Sequence, residues 1–227
     1  MALEYASMDK KDFSVTIENI IERKPDAVFL QLAGNYNLHF FKNWSALTGS
    51  KIPVITSSFI TQLYAHKFFP EKLLNNVYFS SIYTQELETQ ESINFRKWAA
   101  KHKISYDYLG SDQASAYLSM QFYKKAVEKC HTTETNAVIN TLENEVIVVV
   151  GPGGPVRINP DDHHIISNSY LFRVDKYNDI NLIKKNRDVQ SDFVRNAMKK
   201  QFGVDHGLMS LGKNSPNIQY NYMFYKI

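Results

Sequence analysis

Residues 151–164 read GPGGPVRINPDDHH, and this stretch does most to decide the fold. It follows Val146–Val150, a β-branched run that is typical of a short buried strand. Gly154–Ile158 has a second strand pattern, and the glycines and prolines between the two runs are turn residues. The stretch therefore predicts a strand, a tight turn and a second strand.

Two other interpretations of the same stretch are weaker. A phosphate-binding loop needs a lysine and a following helix, and the glycines from Gly151 to Gly154 have neither. His163 and His164 could suggest a metal site, but neighbouring side chains on a strand point to opposite faces. Since no third ligand stands nearby at suitable spacing, a structural role is favoured and no metal is expected.

Composition excludes several classes of protein. With 26 basic and 23 acidic residues the net charge is +3, too small an excess to indicate nucleic-acid binding. Cys130 is the single cysteine, which excludes an intrachain disulfide and a cysteine-based zinc site. No apolar run approaches the roughly 20 residues that span a bilayer.

The first third of the chain alternates helical and strand patterns. Phe13, Ile17 and Ile21 fall on one helix face, and Ala27–Leu30 follows as a short apolar strand. A second helix is predicted from Leu38 to Leu47, and the strand patterns recur in Ile52–Thr56 and Val77–Ser81. This alternation predicts a parallel sheet covered by helices on both faces.

Parallel sheets bind ligands beyond the carboxyl ends of their strands. Here those ends carry the polar or aromatic segments Gly34–Asn37, Thr56–Ser58 and Ser81–Tyr83. They suit a small polar ligand. The chain has no Gly-x-Ser-x-Gly elbow, no His-Glu-x-x-His and no dinucleotide fingerprint, so we expect no catalytic residue, no cofactor and no enzyme activity.

The later residues change character. Helical patterns fill Gln85–Glu143, strands return at Val146–Val150, Gly154–Ile158 and Tyr170–Val174, and Ser191–Phe202 has the pattern of an amphipathic helix. Three helices in succession need a sheet from elsewhere to pack against.

The segment from Gly154 to His164 resembles a signature of the urea and short-chain amide binding proteins of ABC transporters. That family is close to the amide-sensing regulator of aliphatic amidase expression. Its signature runs Gly-Pro-Val-Arg-Ile-Asp-Pro, two variable residues, then His-His. The resemblance extends over about Leu3 to Val174 and includes, in order, Asp12–Ser14, Lys24–Phe29, Gly34–Phe41, Ile52–Val54, Ala116–Leu118 and Lys125–Lys129.

This chain departs from the family pattern at two places. Asn35 stands where the family's Gly-Asp-Ser-Asn turn has its acidic residue, and Ala114 stands where the family usually has Glu.

The resemblance implies a type I periplasmic-binding-protein fold, in which two α/β lobes close on a ligand. Residues 1–84 would form the second-lobe α/β unit, with a parallel sheet flanked by helices. Residues 85–143 would be a helical segment of an incomplete first lobe, and residues 144–185 would return to the second lobe. Residues 186–227 form a tail without a counterpart.

The resemblance also implies a function: a solute-binding component that delivers urea or a short-chain amide to the permease of an ABC transporter. The expected ligand-binding residues lie at the strand ends: Asn35, Tyr36, Asn37, Ser57, Ser58 and Tyr83. The alternatives are a ligand-sensing regulatory module, which the tail suggests, and a truncated fragment that binds nothing alone.

Two further expectations follow. The family location is the periplasm, but Met1–Lys10 lacks the pattern of a signal peptide, so the chain as given would be cytoplasmic if complete. Helices that lack their sheet expose apolar faces, which favours a homodimer through the first-lobe helices.

Overall fold

A computed structural model describes residues 4–6, 10–32, 36–57, 72–104, 108–160 and 163–189. The helices in these ranges are α1 Ser14–Glu22, α2 Tyr36–Thr48, α3 Gln90–Lys101, α4 Ser111–Cys130 and α5 Thr135–Asn144. The strands are β1 Val28–Leu30, β2 Val54–Thr56, β3 Val77–Ser81, β4 Val148–Gly151, β5 Gly154–Ile158, β6 Ile165–Val174 and β7 Ile180–Val189.

One sheet in the order β1-β2-β3-β6-β5-β4 runs through the described residues, with β7 paired to β6. The strands β1, β2 and β3 are parallel, as the alternating helix and strand pattern predicts. From β3 onward every pairing is antiparallel. The sheet is therefore parallel on one side and a set of antiparallel hairpins on the other.

The larger core lies between the parallel strands and the first two helices. Phe13 and Ile17 of the α1 segment pack with Phe40, Phe41 and Trp44 of α2 against the strands. The facing strand residues include Leu30, Val54, Val77, Phe79 and Phe172. The opposite sheet face is more open, because Phe29 is 51% exposed and Tyr78 is half-buried.

A second core lies between α4, α5 and the β4–β5 hairpin. Leu118, Phe122 and Ala126 of α4 repeat every four residues and form one buried face. That face packs with Val138 of α5 and with the strand residues Ile147, Val149 and Val156. Ile82, which follows β3, packs against both cores and joins them.

The hairpin predicted from residues 151–158 is confirmed. Gly151 pairs with Gly154 across the two-residue turn Pro152–Gly153. Gly154 has φ +108°, a conformation that side chains with a Cβ rarely adopt. The backbone conformation of the hairpin therefore favours glycine at position 154.

Other predicted elements differ in extent. The helix predicted from Leu38 begins at Tyr36, so Tyr36 and Asn37 belong to its first turn and not to a preceding turn. The strand predicted at Tyr170–Val174 begins at Ile165. Strand β7 was not predicted, because every residue from Asn181 to Val189 is exposed and no burial pattern marks it. The helix predicted at Ser191–Phe202 lies outside the described residues.

The predicted division into lobes is not decided by these contacts and stays a prediction. The helices do expose apolar side chains, as expected: Met120 and Tyr123 of α4 are 65% and 44% exposed, and Ile139 of α5 is 46% exposed. Whether they mediate a homodimer also stays a prediction.

Candidate functional site

Four polar side chains lie along the carboxyl edge of the parallel strands. Leu30, Thr56 and Phe79 are in register on β1, β2 and β3, so the residues that follow them share one edge of the sheet. Those residues are Gln31, Ser57 and Ser80, and all three are exposed. Ser169 of β6 is half-buried and completes what we call the edge row: Gln31, Ser57, Ser80 and Ser169.

Hydrogen bonds hold the edge row in two pairs. The Ser57 hydroxyl donates to Oε1 of Gln31 at 2.5 Å, although the two residues are 26 positions apart. The Oγ atoms of Ser80 and Ser169 lie 2.8 Å apart. The row carries hydroxyl and amide groups and no charge, so it can both donate and accept hydrogen bonds to a neutral ligand.

The side chain of Asn37 stabilises the backbone close to this edge of the sheet. Its side chain is fully buried, and its Nδ2 donates to the carbonyl oxygen of Leu32 at 2.7 Å. This bond ties the first turn of α2 to the segment that leaves β1. Tyr36 is half-buried against the larger core. Asn35 and Ser58, the other predicted ligand residues near these strands, lie outside the described residues.

Tyr83 lies in the core and not on the sheet edge. Its ring is fully buried and meets Phe95 edge to face, with ring centroids 5.6 Å apart. Its hydroxyl lies 3.2 Å from Oγ of Ser92, and burial raises its pKa. Of the predicted ligand residues, the structure thus brings Ser57 into the edge row, sets Tyr36 and Asn37 on α2, and buries Tyr83.

Sequence reasoning missed Gln31, Ser80 and Ser169. Gln31 directly follows an apolar strand and Ser80 lies near the end of another, so a stricter use of strand ends would have found both. Ser169 has no such signal. It reaches the edge only because β6 runs antiparallel to β3, with Ser81 opposite Tyr170.

The hairpin tip is clamped beside this site. The carbonyl oxygen of Gly153 accepts hydrogen bonds from Nδ2 of Asn168 at 2.9 Å and from the hydroxyl of Tyr170 at 2.8 Å. A Cβ on Gly153 would lie 2.1 Å from the carbonyl oxygen of Ile82. The clamp therefore fixes the hairpin tip against β6 and against the residue that follows β3.

A second link joins the segment after β3 to the segment before α4. The hydroxyl of Tyr108 donates to Oε2 of Glu86 at 2.5 Å. The backbone N–H of Leu109 donates to Oε1 of Gln85 at 3.0 Å. Burial and the neighbouring Glu86 carboxylate raise the pKa of Tyr108 far above its ordinary value.

Metal binding finds no support in the described part of the chain, where no group of three or more His, Cys, Asp or Glu side chains could hold an ion. Nε2 of His163 lies 3.0 Å from Oε1 of Glu143 in a solvent-exposed contact, and the structural role of this histidine stays a prediction. Within the same residues, no helix combines the length and apolarity needed to cross a bilayer.

Comparison with known proteins gives one family and many structures. The model of the family described as periplasmic binding protein matches residues 2–179. No curated protein matches the sequence.

The similar solved structures are transport receptors. A solute binding protein of an ABC transporter from Rhodopseudomonas palustris, in complex with p-hydroxybenzoic acid, is 18% identical with a TM-score of 0.69, over 83% of this chain and 52% of that one. An amino acid ABC transporter substrate-binding protein from Pseudomonas fluorescens is 16% identical with a TM-score of 0.68, over 82% and 51%.

A third structure agrees with these two. The leucine-, isoleucine-, valine-, threonine- and alanine-binding protein from Brucella ovis, in a closed conformation, is 18% identical with a TM-score of 0.67, over 82% and 50%. These likenesses show the fold, and the chain spans about half the length of the structures it matches.

Proposed function

This chain belongs to the periplasmic binding protein family, and from that premise we propose that it is part of a solute receptor serving an ABC transporter. The fold is that of a type I periplasmic binding protein. The main structural support for a binding site is the edge row, because it lies at the carboxyl ends of the parallel strands. Ligands of open α/β sheets bind at such edges.

The ligand we propose is urea or a short-chain amide. An amide has one carbonyl acceptor and N–H donors and carries no charge, which complements the hydroxyls of Ser57 and Ser80 and the amide of Gln31. A carboxylate ligand would instead need a cation. Arg173, the cation of β6, is not part of the edge row. Its guanidinium group lies over the ring of Tyr78, 5.8 Å from the ring centroid.

Asn35, Tyr36, Asn37, Ser58 and Tyr83 remain proposed ligand residues together with Ser57. For Tyr83, buried as it is, a contact with ligand would require the residues around it to move. We therefore expect Ser57 and the rest of the edge row to contribute more to affinity than Tyr83.

The proposed location is the periplasm, and the proposed partner is the permease of the transporter. In this class of receptor the bound ligand is covered by protein on two sides, so polar groups from both sides satisfy its hydrogen bonds. The edge row supplies the groups of one side.

Calorimetric titration tests the proposal. Urea, acetamide, leucine and 4-hydroxybenzoate are titrated into the 227-residue chain and, where the natural polypeptide is longer, into that longer form. We expect heat with urea or acetamide only. Ser57→Ala and Ser80→Ala should each weaken binding by roughly 5- to 10-fold, the value of one hydrogen bond. Ser115→Ala, on the exposed side of α4, is the matched control and should bind normally.

The outcomes separate the claims. Heat with leucine or 4-hydroxybenzoate alone would keep the receptor role and exclude the amide ligand. No heat with any of the four would count against the receptor role itself.

A ligand-sensing regulatory module is the second candidate, and one observation favours it. The family match ends at residue 179, which leaves residues 180–227 unmatched. A regulatory role predicts that a partner is captured by the full chain and lost when residues after Val189 are removed, while ligand binding persists. Equal capture by both forms would exclude a role for the tail.

A further inference from the structure

Strand β4 has a row of exposed valines on one side. Val146, Val148 and Val150 are 82%, 43% and 60% exposed, whereas Ile147 and Val149 between them are buried in the second core. Alternation places the three valines on one face of the strand segment. β4 is also the last strand in the order of the described sheet.

The backbone N–H and C=O groups of Val148 and Val150 on β4 point away from β5. In a two-residue hairpin the residues that flank the turn, here Gly151 and Gly154, form a bonded pair. Alternation then makes Val149–Val156 the next bonded pair and turns the N–H and C=O groups of Val148 and Val150 outward. The carbonyl oxygen of Val148 accepts a hydrogen bond from Nζ of Lys125 at 2.7 Å, which agrees with this geometry.

We infer that the outer edge of β4 pairs with β4 of a second copy of this chain, antiparallel and centred on Val148. In that register Val148 lies opposite Val148 of the partner, and Val146 lies opposite Val150. The outward backbone groups of the two strands then satisfy each other, and the exposed valines form one continuous apolar row. The inference does not depend on the identity of the ligand.

The charges beside β4 favour a second copy over a strongly charged partner. An open groove of about 320 Å³ runs along the strand, lined by Lys125, Glu128 and Lys129 of α4 and by Val146–Val148. Lys129 forms a 2.7 Å ion pair with Glu145. No charge interrupts Val146–Val150, and the flanking lysines and glutamates balance, so two identical edges meet without net repulsion.

Lys125 opposes the pairing. Its ammonium group donates a hydrogen bond to the carbonyl oxygen of Val148, which is the central residue of the proposed pairing. Lysines commonly protect the edges of sheets from pairing. We therefore expect a weak dimer, with a dissociation constant on the order of 100 µM, because only one short strand from each copy takes part. Lys125→Met, which removes the charge but keeps the stem, should tighten it by roughly 10-fold.

Sedimentation velocity of the full 227-residue chain over a range of concentrations tests the inference. Val148→Pro removes the outward N–H and should give a monomer with β5 still paired. A second variant, Val146→Lys with Val150→Lys, places like charges opposite each other and should also be monomeric. Met120→Lys on the exposed side of α4 is the control and should dimerise as the parent chain does.

Two results would overturn the inference. One is a parent chain and a Lys125→Met variant that both stay monomeric at millimolar concentration, which would leave this edge to a different polypeptide. The other is a dimer that survives both β4 changes and dissociates in Met120→Lys, which would assign the contact to the helices.

Discussion

Asn168 and Gly153 are joined by a 2.9 Å hydrogen bond from the side-chain amide of the first to the carbonyl oxygen of the second. The bond fastens the hairpin tip to β6. The hydroxyl of Tyr170 donates to the same oxygen, and the backbone at Ile82 closes the other side of the glycine. One turn is thus held by two other segments of the chain, β6 and the residue that follows β3.

Gly153→Ala should destabilise the protein by about 3 kcal/mol, because the new Cβ would meet the rigid carbonyl oxygen of Ile82 at 2.1 Å. Gly49→Ala is the matched comparison. Gly49 has φ +58° but open space around it, with the nearest side-chain atom 4.0 Å away on Lys51, so only backbone strain of about 1 kcal/mol is expected. Urea unfolding measures the loss of stability in each of the two variants. Equal losses in Gly153→Ala and Gly49→Ala would argue against the close contact at Ile82.

Asn168→Ala and Tyr170→Phe should be coupled, since both side chains donate to one carbonyl oxygen. Each single substitution leaves that oxygen with one of its two side-chain donors and should lower the free energy of unfolding by about 1 kcal/mol. The double variant leaves a half-buried acceptor without either side-chain donor and should lose about 1 kcal/mol more than the sum of the two single losses. A double-mutant cycle by urea unfolding gives the coupling, and simple additivity would mean that the two bonds are independent.

Tyr108→Phe should alter the stability of the protein in alkali. Burial and the Glu86 carboxylate raise the pKa of Tyr108 above its ordinary value of 10.0, so the folded state holds the phenolic proton more tightly than the unfolded state. Its contribution is complete below the ordinary value and is lost as the pH rises above it. The free energy of unfolding of the parent chain should therefore fall from about pH 9 to about pH 11.

The Tyr108→Phe variant should be less stable near neutral pH, by about 2 kcal/mol, because the bond to the carboxylate is lost. Its alkaline decline should be shallower than that of the parent. Some decline remains expected, since the pKa of Tyr83 is also raised by burial. Identical pH profiles for both proteins would contradict the prediction.

Glu134→Gln should weaken the start of α5. The Glu134 carboxylate accepts hydrogen bonds from the backbone N–H groups of Asn136 and Ala137 at 3.0 and 2.8 Å, which lower its pKa below 4.5. A lowered pKa contributes stability above the ordinary value, and that stability is lost as the pH falls through the lowered value.

The parent should therefore exceed Glu134→Gln in stability at pH 7, and the difference should shrink as the pH falls below about 4. Glu128→Gln is the control, because Glu128 is an exposed residue 3.6 Å from Lys124 and should show little change at either pH. A gap that persists unchanged at low pH would show that the charge of Glu134 is not its cause.

Much of the fold could be predicted from local pattern. The hairpin at Gly151–Gly154, the parallel strands β1–β3 and the helical section follow from apolar periodicity and turn residues, which act over a few neighbouring positions. Strand β7 could not be found in this way, because its side chains are exposed and it is a strand only through its pairing with β6.

The candidate site was predicted in part, for a related reason. Strand ends can be recognised along the chain, and Ser57 was identified from one of them. Tyr83 also follows a strand, yet it turns into the core and packs on Phe95, which local polarity does not reveal.

Local sequence pattern thus predicts the strand–turn–strand at residues 146–158 and the order of the described helices and strands up to β6, and Gly154–His164 carries the family resemblance. The tertiary structure was needed to show that Ser169 joins Ser80 at the sheet edge, that Asn168 and Tyr170 hold Gly153, and that β4 is an outermost strand of the described sheet. Each of these depends on the register between strands far apart in the chain, and register is set by packing over the whole sheet rather than by neighbouring residues.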